Sequence, residues 1–361
     1  MKKVLSVVIP TYNMENYLRK CLDSLIVSDE NMAKLEVLVI NDGSKDSSSQ
    51  IGHEYETKYP QTFRVIDKEN GNYGSCINRG LKEATGKYVK VLDADDYFDA
   101  QIFNAYINYL QTIDVDLIIS DYCIVDPNGI VQESYTFPLP TKGIFSLRQL
   151  SIETVMWLWH HGITYKREIL IQMDYHQTEG ISYTDDEWIF KPMTQVRQVS
   201  YYPYCLYYYL MGREGQTFDP KILNRDFDKR FVVLRSMLSY YSDVKSVISK
   251  DVDNYLKYKL YDRLIPVYRY FLIQNSTKNG NFQLMEIDKS VRHLSSELTI
   301  LLDQMENKLG WKYVQDWVNS GYNRYHPHLI ILRIKHRIFC MLGLYKRNLH
   351  MKDEFKRKDN L

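Results

Sequence analysis

The chain has 361 residues, 45% hydrophobic and 25% charged, with 46 Lys and Arg against 45 Asp and Glu. This length suits one large domain with an appendage, or two domains, and the composition is that of a globular protein rather than a disordered or collagen-like one. A formal charge of +1 lacks the basic excess of a dedicated nucleic-acid binder, so no nucleic-acid partner is expected.

From residue 4 to about 120, short β-branched runs alternate with helical stretches. Val4–Ile9, Leu35–Ile40, Phe63–Ile66, Lys87–Leu92 and Val115–Ser120 read as strands, the first two almost continuously apolar as buried parallel strands are. Helical spacing recurs at Tyr17 to Leu25, Ser75–Ala84 and Ala100–Leu110. The β-α-β-α order predicts an α/β domain with a mostly parallel sheet flanked by helices. Asp126-Pro127-Asn128-Gly129 and Pro138-Leu139-Pro140 mark turns. Leu147–Trp159 and Asp185–Val196 look helical, and Val199–Leu210 is an aromatic strand. The α/β domain is expected to span 1–218, its halves dividing near residue 100, with an all-helical region over 219–361. There, Leu284, Ile287, Val291, Leu294, Leu298, Leu301 and Met305 keep a heptad spacing, which suits a helical hairpin or an intermolecular coiled coil.

Five cysteines, at 21, 76, 123, 205 and 340, lie far apart without a C-x-x-C pair and read as reduced thiols. Lys2 and Lys3 precede an apolar stretch too short for a secretory signal, and no run of about 18 apolar residues predicts a membrane span. A cytoplasmic location is the expectation.

In open α/β sheets ligands sit beyond the carboxyl ends of the strands. The first strand ends in Pro10-Thr11-Tyr12-Asn13, the second in Asn41-Asp42-Gly43-Ser44 and the fourth in Asp93-Ala94-Asp95-Asp96. Carboxylates side by side in a crevice are unfavourable without a cation. Hard oxygen ligands suit Mg²⁺ or Mn²⁺, whose other ligands are commonly water and phosphate oxygens. A metal–diphosphate site is therefore expected; the bland alternative is that Asp95 or Asp96 merely caps the helix beginning near Asp99. Dinucleotide, P-loop, zinc-protease and serine-hydrolase motifs do not occur.

Val7-Val8-Ile9-Pro10-Thr11-Tyr12-Asn13, Val39-Ile40-Asn41-Asp42-Gly43-Ser44, Asn70-Gly71-Asn72-Tyr73-Gly74-Ser75 with Asn78-Arg79-Gly80-Leu81, and Leu92-Asp93-Ala94-Asp95-Asp96 together resemble a family 2 glycosyltransferase over about the first 100 residues. The resemblance implies a GT-A fold, a nucleotide-sugar donor, usually UDP-linked, and transfer with inversion at the anomeric carbon. By it, Pro10, Thr11 and Tyr12 line the uridine pocket, Asp42 accepts from the uracil N3–H, Asn72 and Ala94 border the donor, Asp93 meets the ribose and Asp95 holds the metal. Where many members carry Arg before the asparagine of the third motif this chain has Ile77, with Arg79 or Lys90 as substitutes. The resemblance further implies a general base at Asp186, with Asp185 as the other candidate, in Thr184-Asp185-Asp186-Glu187-Trp188, and a phosphate contact from Arg213. These residues also read as a charged helix start and an ion pair. His160 and His161, adjacent in sequence, are expected to point apart and not to share an ion, bordering an acceptor site with Trp157 and Trp159 or forming a core edge.

Toward the end, Ile330, Ile331, Ile334, Ile338, Met341, Leu342 and Tyr345 form one stripe, with Arg333, Lys335, Arg337, Lys346 and Arg347 off its centre. Ten Lys and Arg against three acids lie between Arg324 and Leu361, so the neutral total conceals an acidic body and a basic tail. A peripheral contact of 326–361 with the inner face of the cell membrane is one expectation, a packed final helix the other, and a homo-oligomer through these helices a third. The expected function is an inverting glycosyltransferase acting on a glycan or lipid-linked acceptor in surface or capsular polysaccharide synthesis. The rivals are a nucleotidyltransferase of similar topology and a catalytically silent scaffold.

Overall fold

The computed structural model describes residues 2–213, 216, 227–307 and 309–341. The chain forms two compact units, Met1–Leu256 and Lys257–Leu361.

The first unit begins with β1 (Leu5–Thr11), α1 (Leu18–Asp23), α2 (Asp29–Met32), β2 (Leu35–Asn41), α3 (Ser48–Lys58), β3 (Phe63–Asp67), α4 (Asn72–Glu83) and β4 (Tyr88–Val91). These strands pair in the order β3-β2-β1-β4, all parallel. Val7, Val8, Ile9, Leu38, Val39 and Ile40 are buried because helices cover both faces. Gly80 lets α4 lie close on β1: a Cβ there would stand 2.3 Å from Val8 Cγ1.

Next come β5 (Tyr97–Phe98), α5 (Ala100–Thr112), β6 (Leu117–Val125), β7 (Val131–Tyr135), α6 (Ile152–Trp157), β8 (Ile163–Lys166), α7 (Arg167–Gln172), α8 (Asp185–Trp188) and β9 (Val199–Leu210). The sheet continues β4-β8-β6-β9-β5, with β7 paired to β6. Here antiparallel pairs enter: β8 runs against both β4 and β6, while β6 and β9 are parallel. A mixed GT-A-type sheet with flanking helices results.

Two expected elements differ. The helix expected over Leu147–Trp159 is a 3₁₀ turn at Leu147–Gln149 followed by α6, because Ser146 and Ser151 each cap a fresh start. The helix expected from Asp185 stops at Trp188 and resumes as a 3₁₀ turn, Lys191–Gln195. Pro192 lacks the N–H that a continuous helix needs. The cysteines are also corrected in part. Cys123 on β6 and Cys205 on β9, 82 residues apart, form a disulfide because the two strands pair side by side. Cys21, Cys76 and Cys340 are free thiols.

After β9 the chain is helical. Helix α9 (Phe227–Val244) belongs to the first unit, where Ser236 Oγ donates to Glu187 Oε1 (2.6 Å) and the hydroxyls of Tyr240 and Thr194 lie 3.0 Å apart. The unit division falls inside α10 (Lys250–Arg269), later than the change of composition at 219. A π-helical turn (Tyr270–Gln274), α11 (Lys278–Leu294), α12 (Ser296–Asp303), α13 (Tyr313–Asn319) and α14 (Pro327–Met341) follow.

The heptad is not one helix. Ser295 is extended at φ −154° and caps α12 by accepting from Leu298 N–H. The stripe thus folds back on itself, burying Leu284, Ile287 and Val291 of α11 and Leu298 and Leu302 of α12. On α14, by contrast, Ile330, Ile331, Ile334, Ile338 and Phe339 are 39–52% exposed. Among the described residues no helix is long and apolar enough to cross a membrane. Leu342 and Tyr345 of the expected stripe lie outside the described residues.

Candidate active site

The ends of β1, β2 and β4 converge. Asn13 N–H donates to Ser44 Oγ (3.0 Å), and Asn13 Oδ1 accepts from Lys45 N–H (2.8 Å), tying the first two loops together. Thr11, the last residue of β1, is buried and its hydroxyl donates to Ile9 O (3.1 Å), while Tyr12 is 46% exposed. Asp42 is buried. Its carboxylate accepts from Gly71 N–H and Asn72 N–H at 2.9 Å each and pairs with Lys68 Nζ. A carboxylate offers about four lone-pair sites, so one is left for a base donor. Asp42 therefore first of all anchors the start of α4, where Asn72 adopts φ +66°. The sequence argument missed Lys68, because its role depends on β3 lying beside β2.

In the next turn Asp93 accepts from Tyr73 Oη (3.0 Å), and its backbone N–H donates to Tyr207 Oη (3.1 Å). Tyr207 Oη in turn donates to Asp96 Oδ2 at 2.6 Å, and Leu210 N–H donates to Asp96 Oδ1 at 2.7 Å. Asp96 thus fastens the acidic turn to β9. Burial first, then the neighbouring Asp95 and Asp93 charges, push its carboxyl well above the usual range. Asp95 is raised for the same leading reason, burial, with Asp93 adding to it and Arg213 opposing. Arg213 Nε donates to Asp95 Oδ2 at 2.6 Å; Arg213 is therefore in the site, on a carboxylate. The capping alternative fails, since Asp99 itself caps α5 by accepting from Gln101 and Ile102 N–H. Ala94 is buried in the turn, and Pro10 stands at the end of β1 opposite Ile40 of β2.

The acidic turn of α8 is held from below. Glu187, fully buried, accepts from Thr178 N–H (2.7 Å) and Oγ1 (2.9 Å) and pairs with Lys191 Nζ at 2.8 Å. Burial alone would raise its carboxyl, but Lys191, Ser236 and Thr178 outweigh that and hold it below the usual range. Asn78 of α4 reaches across to Gln177 O and Glu179 Oε1, 2.8 Å each. Tyr183, just before the turn, sits at φ +69°, a strained conformation for a tyrosine. Asp185 and Asp186 project from this braced turn, both half-buried.

His160 joins the two acidic turns. Its Nε2 lies 3.2 Å from Asp93 Oδ2 and its Nδ1 lies 3.9 Å from Asp185 Oδ2. Burial would lower its pKa, but Asp93 and Asp185 outweigh this and hold it above the ordinary value. His161 is lowered well below the ordinary value, first by burial and then by the charges of His160 and Lys90. The two histidines occupy a 3₁₀ turn, His160–Gly162, so strand alternation does not apply, and their ring centroids are 3.9 Å apart. Asp93, His160 and His161 each bring a ligand atom within 4.8 Å of the others, a grouping that could hold a metal ion, contrary to the expectation that the pair cannot share one. No signal in the sequence pointed to His160 as the bridge, because it depends on β8 entering the sheet beside β4.

Neither substitute for the missing family arginine reaches the crevice. Lys90 is fully buried, donates to His161 O (2.7 Å) and Ile163 O (3.2 Å), and is pushed down to about 7 by burial. Arg79 pairs with Glu83 on the surface of α4, and Ile77 is buried in the core. The donor set nevertheless suits a hard divalent cation: Asp93 and Asp95 lie in one turn, and Asp95 is raised by burial and by the adjacent charge, a cost a cation relieves.

Residues 6–173 match the model of glycosyl transferase family 2. The chain carries a family 2 glycosyltransferase domain. Over 35% of its length it is 40% identical to the uncharacterized glycosyltransferase MG025 homolog of Mycoplasma pneumoniae, covering 42% of that protein. It is 29% identical to the uncharacterized glycosyltransferase YibD of Escherichia coli over 57% of this chain and 61% of that one. The matches thus span less than two thirds of these relatives. In fold it is similar to residues 1–349 of S. aureus TarS in complex with UDP-GlcNAc, with TM-score 0.64 and 18% identity over 88% of this chain and 92% of that one. The matched residues run from β1 through α7, take in the turns at Asp42 and Asp93, and end before α8.

Proposed function

We propose that this chain transfers a sugar with inversion from a UDP-sugar to a hydroxyl of a glycan or lipid-linked acceptor. The observation that carries the reading is the bridge by His160 between the Asp93-Ala94-Asp95 turn and the Asp185-Asp186 turn. Donor-side and acceptor-side carboxylates thereby face one crevice. In this reading Pro10, Thr11, Tyr12, Asp42 and Asn72 surround the uridine, and Asp93 and Ala94 border the ribose. Asp95 holds Mn²⁺ or Mg²⁺, and Arg213 exchanges its carboxylate partner for a phosphate oxygen. The likeness in fold to TarS, which was solved with UDP-GlcNAc, supports a UDP-linked donor.

Asp186 takes the proton of the acceptor hydroxyl as its oxygen bonds to the anomeric carbon and the bond from that carbon to UDP breaks. The cation, when bound, stabilises the charge developing on the diphosphate. A panel of UDP-sugars assayed for UDP release identifies the donor. Calorimetry with Mn²⁺ tests the metal: Asp95→Ala is expected to weaken UDP binding by about tenfold or more, roughly 1.4 kcal/mol, and undiminished binding removes Asp95 from that role.

The exposed isoleucines of α14 with Lys335 and Arg337 support a peripheral contact of 326–361 with an anionic membrane; Arg333 is turned inward onto Leu272 O. Such a contact suits a lipid-linked acceptor used in surface polysaccharide synthesis. Flotation with anionic liposomes is expected to carry the full chain and not one ending at 325. If neither floats and the full chain self-associates, the face is an oligomer contact instead.

A further inference from the structure

We infer that Trp157 and Trp159 form the acceptor subsite of this protein, a shelf on which a β-linked pyranoside stacks beside the acidic turn of α8. The inference rests on the glycosyltransferase reading above and adds the residues and the class of acceptor.

The two indoles head a continuous set of aromatic rings. Trp157 and Trp159 have ring centroids 6.2 Å apart at 45°. Behind them Tyr135 lies 5.3 Å from Trp157 and 6.0 Å from Trp159, and Tyr122 lies 6.0 Å from Trp159. His161 continues the set, 5.9 Å from Trp159 and stacked on Tyr209 at 4.4 Å. The backing rings Tyr122, Tyr135, His161 and Tyr209 are buried, whereas both tryptophans are half-exposed. A core edge would turn its polar tips inward; here neither indole N–H has an acceptor among the described residues, and neither is buried. The shelf is held rigidly, since Tyr122 Oη donates to Trp157 O at 2.8 Å and α6 is capped by Ser151.

Position gives the shelf its meaning. Trp159 directly precedes His160, whose nitrogens touch Asp93 and approach Asp185. The uridine residues come from β1 and β2, while the shelf leans on β6 and β7, across β4 and β8 in the sheet. A molecule on it therefore lies on the acceptor's side of the acidic turns. Aromatic faces carry negative charge and attract the weakly positive C–H bonds of a ligand. A β-linked pyranoside with equatorial substituents presents such bonds on both ring faces, and its hydroxyls can meet the open indole N–H groups.

The test is titration of the full chain, with UDP and Mn²⁺ present, with cellobiose, lactose, N,N′-diacetylchitobiose and gentiobiose, read by saturation-transfer NMR. At least one of these is expected to bind, and Trp159→Ala and Trp157→Ala are each expected to weaken it by about tenfold while UDP affinity stays at the wild-type value. Trp159→Phe is expected to retain most of the binding, and it replaces the alanine variant should that one lose UDP as well. The proposal is overturned if no disaccharide binds, or if one binds the wild type and the tryptophan variants alike. Loss of UDP binding by the wild type with tryptophan-dependent disaccharide binding intact would overturn the donor reading and leave the shelf standing.

Discussion

Strands β1–β4 and strands β6–β9 form two sides of one sheet and carry the candidate site by different means. On the first side each strand ends in its own polar loop, so the candidate site residues follow in chain order: Thr11, Asp42, Asn72, Asp93. Their mutual hydrogen bonds, such as those of Asp42 to Gly71 and Asn72, link neighbouring loops of a parallel sheet. On the second side antiparallel strands interleave, and the contacts join residues far apart in sequence. Tyr207 fastens Asp96 across 111 positions and Arg213 meets Asp95 across 118. A parallel βα repeat delivers a site loop by loop, whereas a mixed sheet delivers it by clasping distant segments together.

The contrast can be broken at its strongest point by Asp186→Asn. If Asp186 is the proton acceptor proposed above, this change is expected to lower transfer by about 10²–10⁴-fold with UDP affinity unchanged, in a coupled UDP-release assay. Near-normal turnover would move the role to Asp185.

Gly74→Ala tests how tightly the two sides are joined. A Cβ at Gly74 would stand 2.0 Å from the backbone oxygen of Thr178 and 3.3 Å from Thr184 Oγ1. Alanine normally favours a helix, but here α4 must move off the segment that braces the acidic turn. The expected cost is about 2–3 kcal/mol, seen as a lower midpoint in urea, together with reduced turnover. A variant as stable as the wild type would show that the sides are not so closely packed.

The smallest effect expected is at Asp121, buried on β6 and bonded by Tyr201 Oη at 2.5 Å. Burial pushes its carboxyl up to about 6, with the Tyr201 hydrogen bond opposing. Since the folded value lies above the ordinary 3.8, the stabilisation is full below pH 4 and is lost as pH rises through about 6. Asp121→Asn is therefore expected to melt higher than the wild type at pH 8, by about 2–4 °C, and to show no gain at pH 4. Equal differences at both pH values would mean that the second side is not strained by this charge.

Much of the first side was legible because its signals are local. The strands at Leu35 and Phe63 and the acidic triplet at 93–96 follow from apolar runs and polar strand ends. Even there, Lys68 went unread, since a lysine acquires meaning only from the neighbour a parallel strand provides. On the second side the aromatic strand Val199–Leu210 was legible to the residue, but the helices around it were not. Their ends are set by Ser146, Ser151 and Pro192 competing with periodicity. The disulfide between Cys123 and Cys205 and the fold-back at Ser295 were equally hidden, being products of strand pairing and of one capping residue.

By itself the sequence determined β1–β4, β6 and β9 but not β5, β7 or β8, and it determined which strand ends are acidic and that charge is divided between an acidic body and a basic tail. Those properties are fixed by side-chain periodicity and by counting. Tertiary structure alone decided that His160 bridges the two acidic turns, that Arg213 faces Asp95, that Lys90 is sealed in the core, and that the apolar stripe of α14 stands open. Each of these depends on the order in which strands enter the sheet or helices cover one another, and no local pattern encodes that order.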